Sequence, residues 1–361
     1  MSCADISKLS SLELIRELSL LFGPTGCEDR VADTLLSEAQ RYADKVVRDR
    51  MGNVIAKVSF GDEDKRKKIM LSAHMDEVGF MIEEIKDDGM LTFACVGGID
   101  PSVIAGRKVL VGNEKSLISG VICSKAIHHK SRSERDSAVD SERLYIDIGA
   151  TDKDEAKSLV SVGDFAAFDS EFFTFGKDEK TLKCKAIDDR AGCAVLIEVM
   201  RRLKNEKIDA DLDIYFCFTT REEIGLSGAE AVAERIRPEY AFVFESTAVG
   251  DIADAPSNKR VADLSHGAVI SVADRGTIYD KELIDLAFKT AKEKNIPLQV
   301  KRYLSGGNDA SHIHKSGTGV RTLAISIPTR YLHSAACVAH LDDYDSSCKI
   351  AYELLCRIGK L

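Results

Sequence analysis

An α/β domain interrupted by a small β-rich insert is the fold this sequence predicts, on three observations. Apolar runs of strand length alternate with helix-patterned stretches up to about residue 76, and the same rhythm returns after Lys185. Between them, residues 77–169 hold short β-like runs and turns, with one brief helix pattern near 153–159. The segment 69–82, IMLSAHMDEVGFMI, stands at the change of texture: an apolar run ends in His74-Met75-Asp76 and turns apolar again after Glu77. Strands alternating with helices imply a mostly parallel or mixed sheet covered on both faces. Successive short strands separated by turns imply a small barrel or sandwich. The domain bounds that follow are 1–76 and 170–361 for the two parts of the α/β domain, and 77–169 for the insert.

Each element has its own signal. Residues 11–22 place Leu14, Ile15, Leu18, Leu21 and Phe22 at helical spacing, with Ser10 or Ser11 to cap the helix and Gly23-Pro24 to stop it. A second helix is expected over about 28–42. Two short strands flank Met51-Gly52-Asn53, a hairpin signal. The charged stretch 61–68 reads as a solvated turn leading into the strand that carries His74. Within the insert, the polar stretch 131–142 reads as a loop. After Asp189 comes a helix, then a strand over 213–219 and a helix after Ser227. Strands follow at 240–245 and 268–273, a helix at 280–294, strands at 298–303 and 321–327, and a closing helix at 342–358.

Bulk properties exclude several partners. A chain of 361 residues suggests two domains or one large one. Its 44% hydrophobic content supports a real core. A net charge of -9 with no long basic run argues against nucleic acid and against an anionic membrane surface. The N-terminal stretch lacks the basic and apolar regions of a signal peptide. No apolar run reaches the roughly 18 residues of a membrane span. Ten cysteines are scattered without a C-x-x-C pair, several of them inside apolar runs, such as Cys217. They read as reduced core thiols of a cytoplasmic protein.

Chemistry-bearing residues gather at predicted strand ends. His74 ends a strand, where open α/β sheets keep their ligand crevices. Asp76 can accept a hydrogen bond from the ring nitrogen of His74 that binds no metal, which fixes the tautomer. Alone, an H-x-D pair is more often a surface pair. Asp188-Asp189 precedes a helix that one aspartate could cap, leaving the other unexplained. Glu222-Glu223 closely follows a strand, and adjacent glutamates there are more often surface than site. Glu245 ends the run YAFVF, and a carboxylate buried there needs a partner. His333 follows the strand at 321–327. His74, Asp188, Glu223, Glu245 and His333 together supply two imidazoles and three carboxylates. That set suits two divalent cations, each with one histidine and one terminal carboxylate, and with one carboxylate bridging. Mixed nitrogen and oxygen ligands fit zinc, cobalt or manganese better than calcium. Two such ions about 3.5–4 Å apart clamp a water and lower its pKa to roughly 7. An unligated glutamate must then take the proton and pass it to the leaving group. Glu222-Glu223 offers a ligand and a base on consecutive residues. The other histidines have simpler accounts: His128-His129 as surface, His312 and His314 at a helix start, His266 and His340 as structural.

The segments HMDEVGF, AIDDRAG, REEIGLSGA and RYLHS, in this order, resemble the co-catalytic tetrahedral aminopeptidase family, which includes glutamyl and deblocking aminopeptidases and some chains labelled endoglucanases. The likeness runs along essentially the whole chain, insert included. It implies His74 and His333 as terminal metal ligands, Asp188 as the bridging carboxylate, and Glu223 and Glu245 as the remaining ligands. It implies Glu222 as general base and Asp76 as the residue that orients His74. It also implies a phosphorylase/hydrolase-like three-layer αβα catalytic domain, an inserted β-barrel that serves dimerisation, and dimers that assemble into a hollow dodecamer. Three departures lie near the expected substrate pocket. Glu245 stands where many members have Asp, Asn308-Asp309 occupies a GGTDA-like segment with Asn for Thr, and Ala335-Ala336-Cys337 replaces a frequent Pro and Glu.

The expectation is a metallo-aminopeptidase with two divalent ions per chain, zinc or cobalt first and manganese next, that trims short peptides through a metal-bridging hydroxide. Another metal-dependent amidohydrolase, a deacylase or carboxypeptidase, is the alternative. An endoglucanase stands further off, because it needs two carboxyls flanking a bond and no metal pair. It also wants aromatic platforms, and this chain is 6% aromatic with no tryptophan.

Overall fold

The computed structural model describes residues 6–129, 131–132 and 140–359. The loop expected at 131–142 lies mostly outside the described residues. Helix α1 (Ser11–Leu20) begins where Ser10 and Glu13 form a reciprocal capping box, and α2 (Asp29–Ala39) follows. Strands β1 (Lys45–Arg48) and β2 (Val54–Phe60) make the expected hairpin, and β3 (Lys67–His74) carries His74 at its last position.

The insert is a closed barrel and not a sandwich. Its strands β4 (Gly79–Ile85), β5 (Leu91–Val96), β6 (Lys108–Gly112), β7 (Leu117–Cys123), β8 (Tyr145–Asp147) and β9 (Phe165–Phe168) close in the order β4-β5-β8-β7-β6-β9. The short helix α3 (Lys153–Leu159) falls where the sequence places it. Phe80 packs edge-on against Phe93 and Phe168 at centroid distances of 5.0 and 5.4 Å, and these rings fill the barrel's interior. Closure leaves no sheet edge in a unit this small.

Beyond the barrel run β10 (Phe173–Phe175), β11 (Thr181–Cys184), α4 (Ile187–Asn205), β12 (Leu212–Thr219), α5 (Ser227–Ile236) and β13 (Tyr240–Ala248). Then come β14 (Ala268–Ile270), α6 (Lys281–Lys294), β15 (Leu298–Val300), α7 (Ala310–Ile313), β16 (Arg321–Thr329), β17 (Cys337–His340) and α8 (Leu341–Ile358). Eight strands form one mixed sheet in the order β1-β2-β12-β3-β13-β16-β14-β15. On one face, Val195, Leu196 and Val199 of α4 pack with Phe216, Phe242 and Leu354. On the other, Met70, Cys217 and Val243 meet Ala229 and Val232 of α5 and Ile313 of α7. The result is the expected α/β sheet covered on both faces, with a barrel inserted. A small sheet, β10-β11-β17, sits beside it. Two predicted strands are shorter than expected: β14 stops at Ile270 and β15 at Val300, where the chain leaves for loops. Among the described residues, no helix is long and apolar enough to cross a membrane.

Candidate metal centre

Strands β3 and β13 pair in parallel only as far as Ser72 and Val243. Beyond that point they part, and His74 and Glu245 meet in the opening, Nε2 to Oε1 at 3.2 Å. On the other side of β3, Thr219 of β12 lies opposite His74, and the chain turns there into Glu222-Glu223. The small sheet brings in the rest. β11 and β17 are paired with Cys184 opposite Cys337, which sets the segment 185–188 beside the turn 331–334.

The five residues read as ligands converge. Asp188 Oδ1 is 3.4 Å from His74 Nε2, and Asp188 Oδ2 is 3.3 Å from His333 Nε2. Glu223 Oε2 lies 3.5 Å from His333 Nε2, and Glu222 Oε2 lies 3.9 Å from His74 Nε2. Asp188 therefore stands between the two histidines, with Glu245 on one flank and Glu223 on the other. His333 Nδ1 is 2.7 Å from the carbonyl of Gly98, in the loop after β5, so that nitrogen carries the proton and Nε2 faces the carboxylates. The same loop needs Gly97 at φ +87°, since a Cβ there would lie 2.7 Å from Val78 and 3.4 Å from Glu223.

Asp188 and Asp189 divide their tasks. Asp189 Oδ1 accepts the Gly192 N–H at 3.0 Å and so caps the start of α4, leaving Asp188 to the histidines. Asp189 also places an oxygen within 4.8 Å of ligand atoms of His74 and Glu245, which makes it a candidate ligand the sequence reading left out. Asp76 acts more broadly than expected. His74 Nδ1 is 3.0 Å from the Asp76 main-chain oxygen and 3.4 Å from its carboxylate. The carboxylate accepts the N–H groups of Glu222 and Glu223 at 3.1 and 3.2 Å and the Thr25 hydroxyl at 2.8 Å. It thus fixes the turn carrying both glutamates.

The electrostatics state what the cluster lacks. Burial works against every charge here. It pushes the Glu222 and Glu245 carboxyls well above the usual range, and Glu223 up to about 7. Burial opposes charge on the histidines too. Glu245, Asp188 and Asp76 nevertheless hold the His74 pKa well above its ordinary value, and Asp188 and Glu223 hold that of His333 at about 9. Buried atoms without a hydrogen-bond partner include His74 Nε2, Asp188 Oδ1, Asp189 Oδ2, Glu223 Oε1 and Glu245 Oε2. Carboxylates in one buried cluster cannot all ionise without added positive charge. Converging oxygens and imidazole nitrogens with no partners of their own fit divalent cations.

Sequence reasoning missed three supports: Thr25, Thr219 and Asp309. Asp309 sits at the N-cap of α7 yet makes no capping bond, and its Oδ2 instead accepts the Thr219 hydroxyl at 2.7 Å. A GGTDA-like segment was its only signal. The remaining histidines lie apart from the cluster. His312 pairs with Glu230 at 3.1 Å, His314 lies against the Ala310 carbonyl, His266 against the Leu264 carbonyl, and His340 caps α8. His128 and His129 are exposed in a short turn.

A family model described as M42 glutamyl aminopeptidase matches residues 52–350. The lysyl aminopeptidase of Pyrococcus furiosus is 30% identical over 95% of this chain and 96% of its own length. The TET aminopeptidase of the marine sediment archaeon Thaumarchaeota archaeon SCGC AB-539-E09 superposes with a TM-score of 0.92 at 34% identity, covering 96% of each chain. The TET1 peptidase of Pyrococcus horikoshii, described as able to assemble into a tetrahedron or a large octahedral shell, superposes at 0.83 with 34% identity, over 96% of this chain and 99% of that one. Sheet, barrel and ligand cluster all fall within these matches, and the chain belongs to the M42 glutamyl aminopeptidase family of peptide-bond hydrolases.

Proposed function

We propose that this chain is a dinuclear metal aminopeptidase that removes N-terminal residues from short peptides. The observation that carries the reading is Asp188, whose two oxygens each face one histidine, at 3.4 and 3.3 Å. His74, Glu245 and Asp188 would hold one ion, and His333, Glu223 and Asp188 the other. The mixed donor set favours zinc or cobalt first and manganese next. Bound there, the cations supply a water acidified to near neutral pKa and a Lewis acid for the scissile carbonyl. Glu222, whose N–H is held by Asp76, sits beside His74 and serves as general base, then returns the proton to the leaving amine. Residues 1–76 with 170–361 form the catalytic domain, and 77–169 the dimerisation insert. Dimers build a dodecamer, by analogy with the tetrahedron named for the Pyrococcus horikoshii relative. The free cysteines among the described residues suit a reducing cytoplasm.

The test uses aminoacyl-p-nitroanilides, free and N-acetylated. Glu222→Gln should keep two metals per chain while losing about 10²–10⁴ of turnover. Undiminished turnover would refute the base. Equal cleavage of the acetylated substrates would move the reading to a metal-dependent deacylase.

A further inference from the structure

Thr219 ends β12, opposite His74 at the end of β3. Two of its atoms hold the residues on either side of that histidine. Its carbonyl accepts the Met75 N–H at 2.7 Å, and its hydroxyl lies 3.2 Å from the Ala73 carbonyl. The turn that follows is held separately, since the N–H groups of Glu222 and Glu223 go to the Asp76 carboxylate. Thr219 is thus the clamp on the strand end that carries His74.

A threonine hydroxyl has one proton, and this one has two acceptors. The Asp309 carboxylate lies at 2.7 Å, the length of a charge-assisted bond, and the Ala73 carbonyl at 3.2 Å. Asp309 therefore takes the proton and keeps it from the β3 carbonyl next to His74. Asp309 is 1% exposed, and among the described residues its Oδ1 has no hydrogen-bond partner. A carboxylate buried on so few bonds is costly to keep, and its direction is fixed from behind. Asn308 Oδ1 accepts the Ala310 N–H at 2.9 Å, and its Nδ2 donates to the Tyr279 hydroxyl at 3.1 Å, which donates in turn to Asp274. Asn308, the residue that departs from the GGTDA-like pattern, thus serves the start of α7 and leaves Asp309 to face Thr219.

We propose that Asp309, acting through Thr219, is a positioning residue of the metal centre: it fixes the end of β3 from which His74 presents Nε2. The proposal rests on the dinuclear reading above and adds to it a residue outside the ligand set. It concerns the His74 side of the cluster, because the bonds of Thr219 reach Ala73 and Met75 and not the turn 331–334 that carries His333.

Two measurements test it. The first is zinc affinity by chelator competition in two single-site backgrounds. His333→Ala leaves His74, Glu245 and Asp188, and His74→Ala leaves His333, Glu223 and Asp188. In the His333→Ala background, Thr219→Val and Asp309→Ala should each weaken zinc about 10–100-fold, the scale of losing a group that orients a ligand. In the His74→Ala background they should change it little. The double variant should lose no more than either single one, since both act through the same bond, and Thr219→Ser should restore the affinity. Equal weakening in both backgrounds, or none in the first, overturns the proposal. The second measurement is hydrogen exchange of the metal-free proteins, read by mass spectrometry. Both variants should exchange about tenfold faster over 73–77, the scale of one lost charge-assisted bond, and no faster over 331–334. Exchange that rises in both segments alike, or in neither, overturns the proposal. If neither background binds zinc, the metal reading fails, and exchange still decides the role of Asp309. Should Asp309→Ala not fold, Thr219→Val, which nearly keeps the side chain's shape, decides alone.

Discussion

Glu77, Lys185 and Arg190 form one buried charged cluster, and the candidate metal centre forms another immediately beside it. In the first, Lys185 Nζ is 2.5 Å from Glu77 Oε1, and Arg190 is 3.6 Å from the same oxygen, with all three side chains at most 3% exposed. Every remaining direction is filled by main chain. Lys185 donates to the Leu21 carbonyl, and Arg190 donates to those of Met75, Leu18 and Gly23. The second cluster is less completely buried, with His333 33% exposed, and is dominated by carboxylates, and five of its buried polar atoms have no hydrogen-bond partner. Buried charge therefore does not by itself mark a functional site. An unbalanced sign with unpartnered atoms does. The first cluster is also the frame of the second. Arg190 ties the end of α1 and the Gly23 turn to Met75, holding the His74–Asp76 corner against the start of α4.

Breaking the second cluster should give the largest effect. With metal at about a thousand times Kd, its removal by a chelator should cost the wild type about 4 kcal/mol of apparent stability. Glu245→Gln should show less of that loss, and its metal-free form should melt above metal-free wild type at neutral pH, because burial pushes the Glu245 carboxyl well above its usual range and its charge is a surplus there. Thermal melts with and without chelator read both; a metal-free variant that melts lower would contradict the surplus-charge account. The balanced cluster predicts the opposite sign. Arg190→Met leaves Glu77 and three carbonyls short of donors and should cost about 3–5 kcal/mol with metal or without, measured by urea unfolding. Thr25→Val removes one buried donor from the Asp76 carboxylate and should cost about 1–2 kcal/mol. If Asp76 fixes the glutamate turn, kcat should fall in that variant while metal content holds.

The smallest effect sharpens the comparison through pH. Burial works against the Asp251 carboxylate, but Arg330 at 2.8 and 2.9 Å and the Leu264 N–H outweigh it and hold its pKa below the usual range. The pair anchors the strand end that leads into Tyr331 and His333. Its contribution is present above the unfolded value of about 4 and is lost as pH falls through the depressed folded value. Asp251→Asn should cost about 1 kcal/mol at pH 7, and the gap from wild type should close as pH falls through the depressed folded value. A gap that persists in acid would mean the carboxylate's charge is not what stabilises that turn.

Much of the molecule was legible in local pattern. A serine cap at the start of α1, the hairpin around Gly52 and the texture change at residue 77 all depend on neighbours in sequence, and all appear in the structure, with Ser10 the capping residue. The choice between barrel and sandwich did not, because strand closure depends on pairings such as β4 with β9, some 80 residues apart. The polar clusters at strand ends were legible because a carboxylate or imidazole after an apolar run has few local uses. Asp309 was not, since it sits at the end of a polar loop and acquires its Thr219 partner only through the folding of that loop against β12.

By itself the sequence determined which residues could supply the site: His74, Asp188, Glu222, Glu223, Glu245 and His333 were each marked by type and position at the end of an element. Only the tertiary structure decided how they meet. The parting of β3 from β13 opens the space between His74 and Glu245, the β11–β17 pairing carries Asp188 to His333, and a barrel carbonyl at Gly98 turns His333 inward. Sequence fixes donor chemistry locally, whereas the balance of buried charge is set by residues more than a hundred positions apart, and that balance separates a structural ion pair from a metal centre.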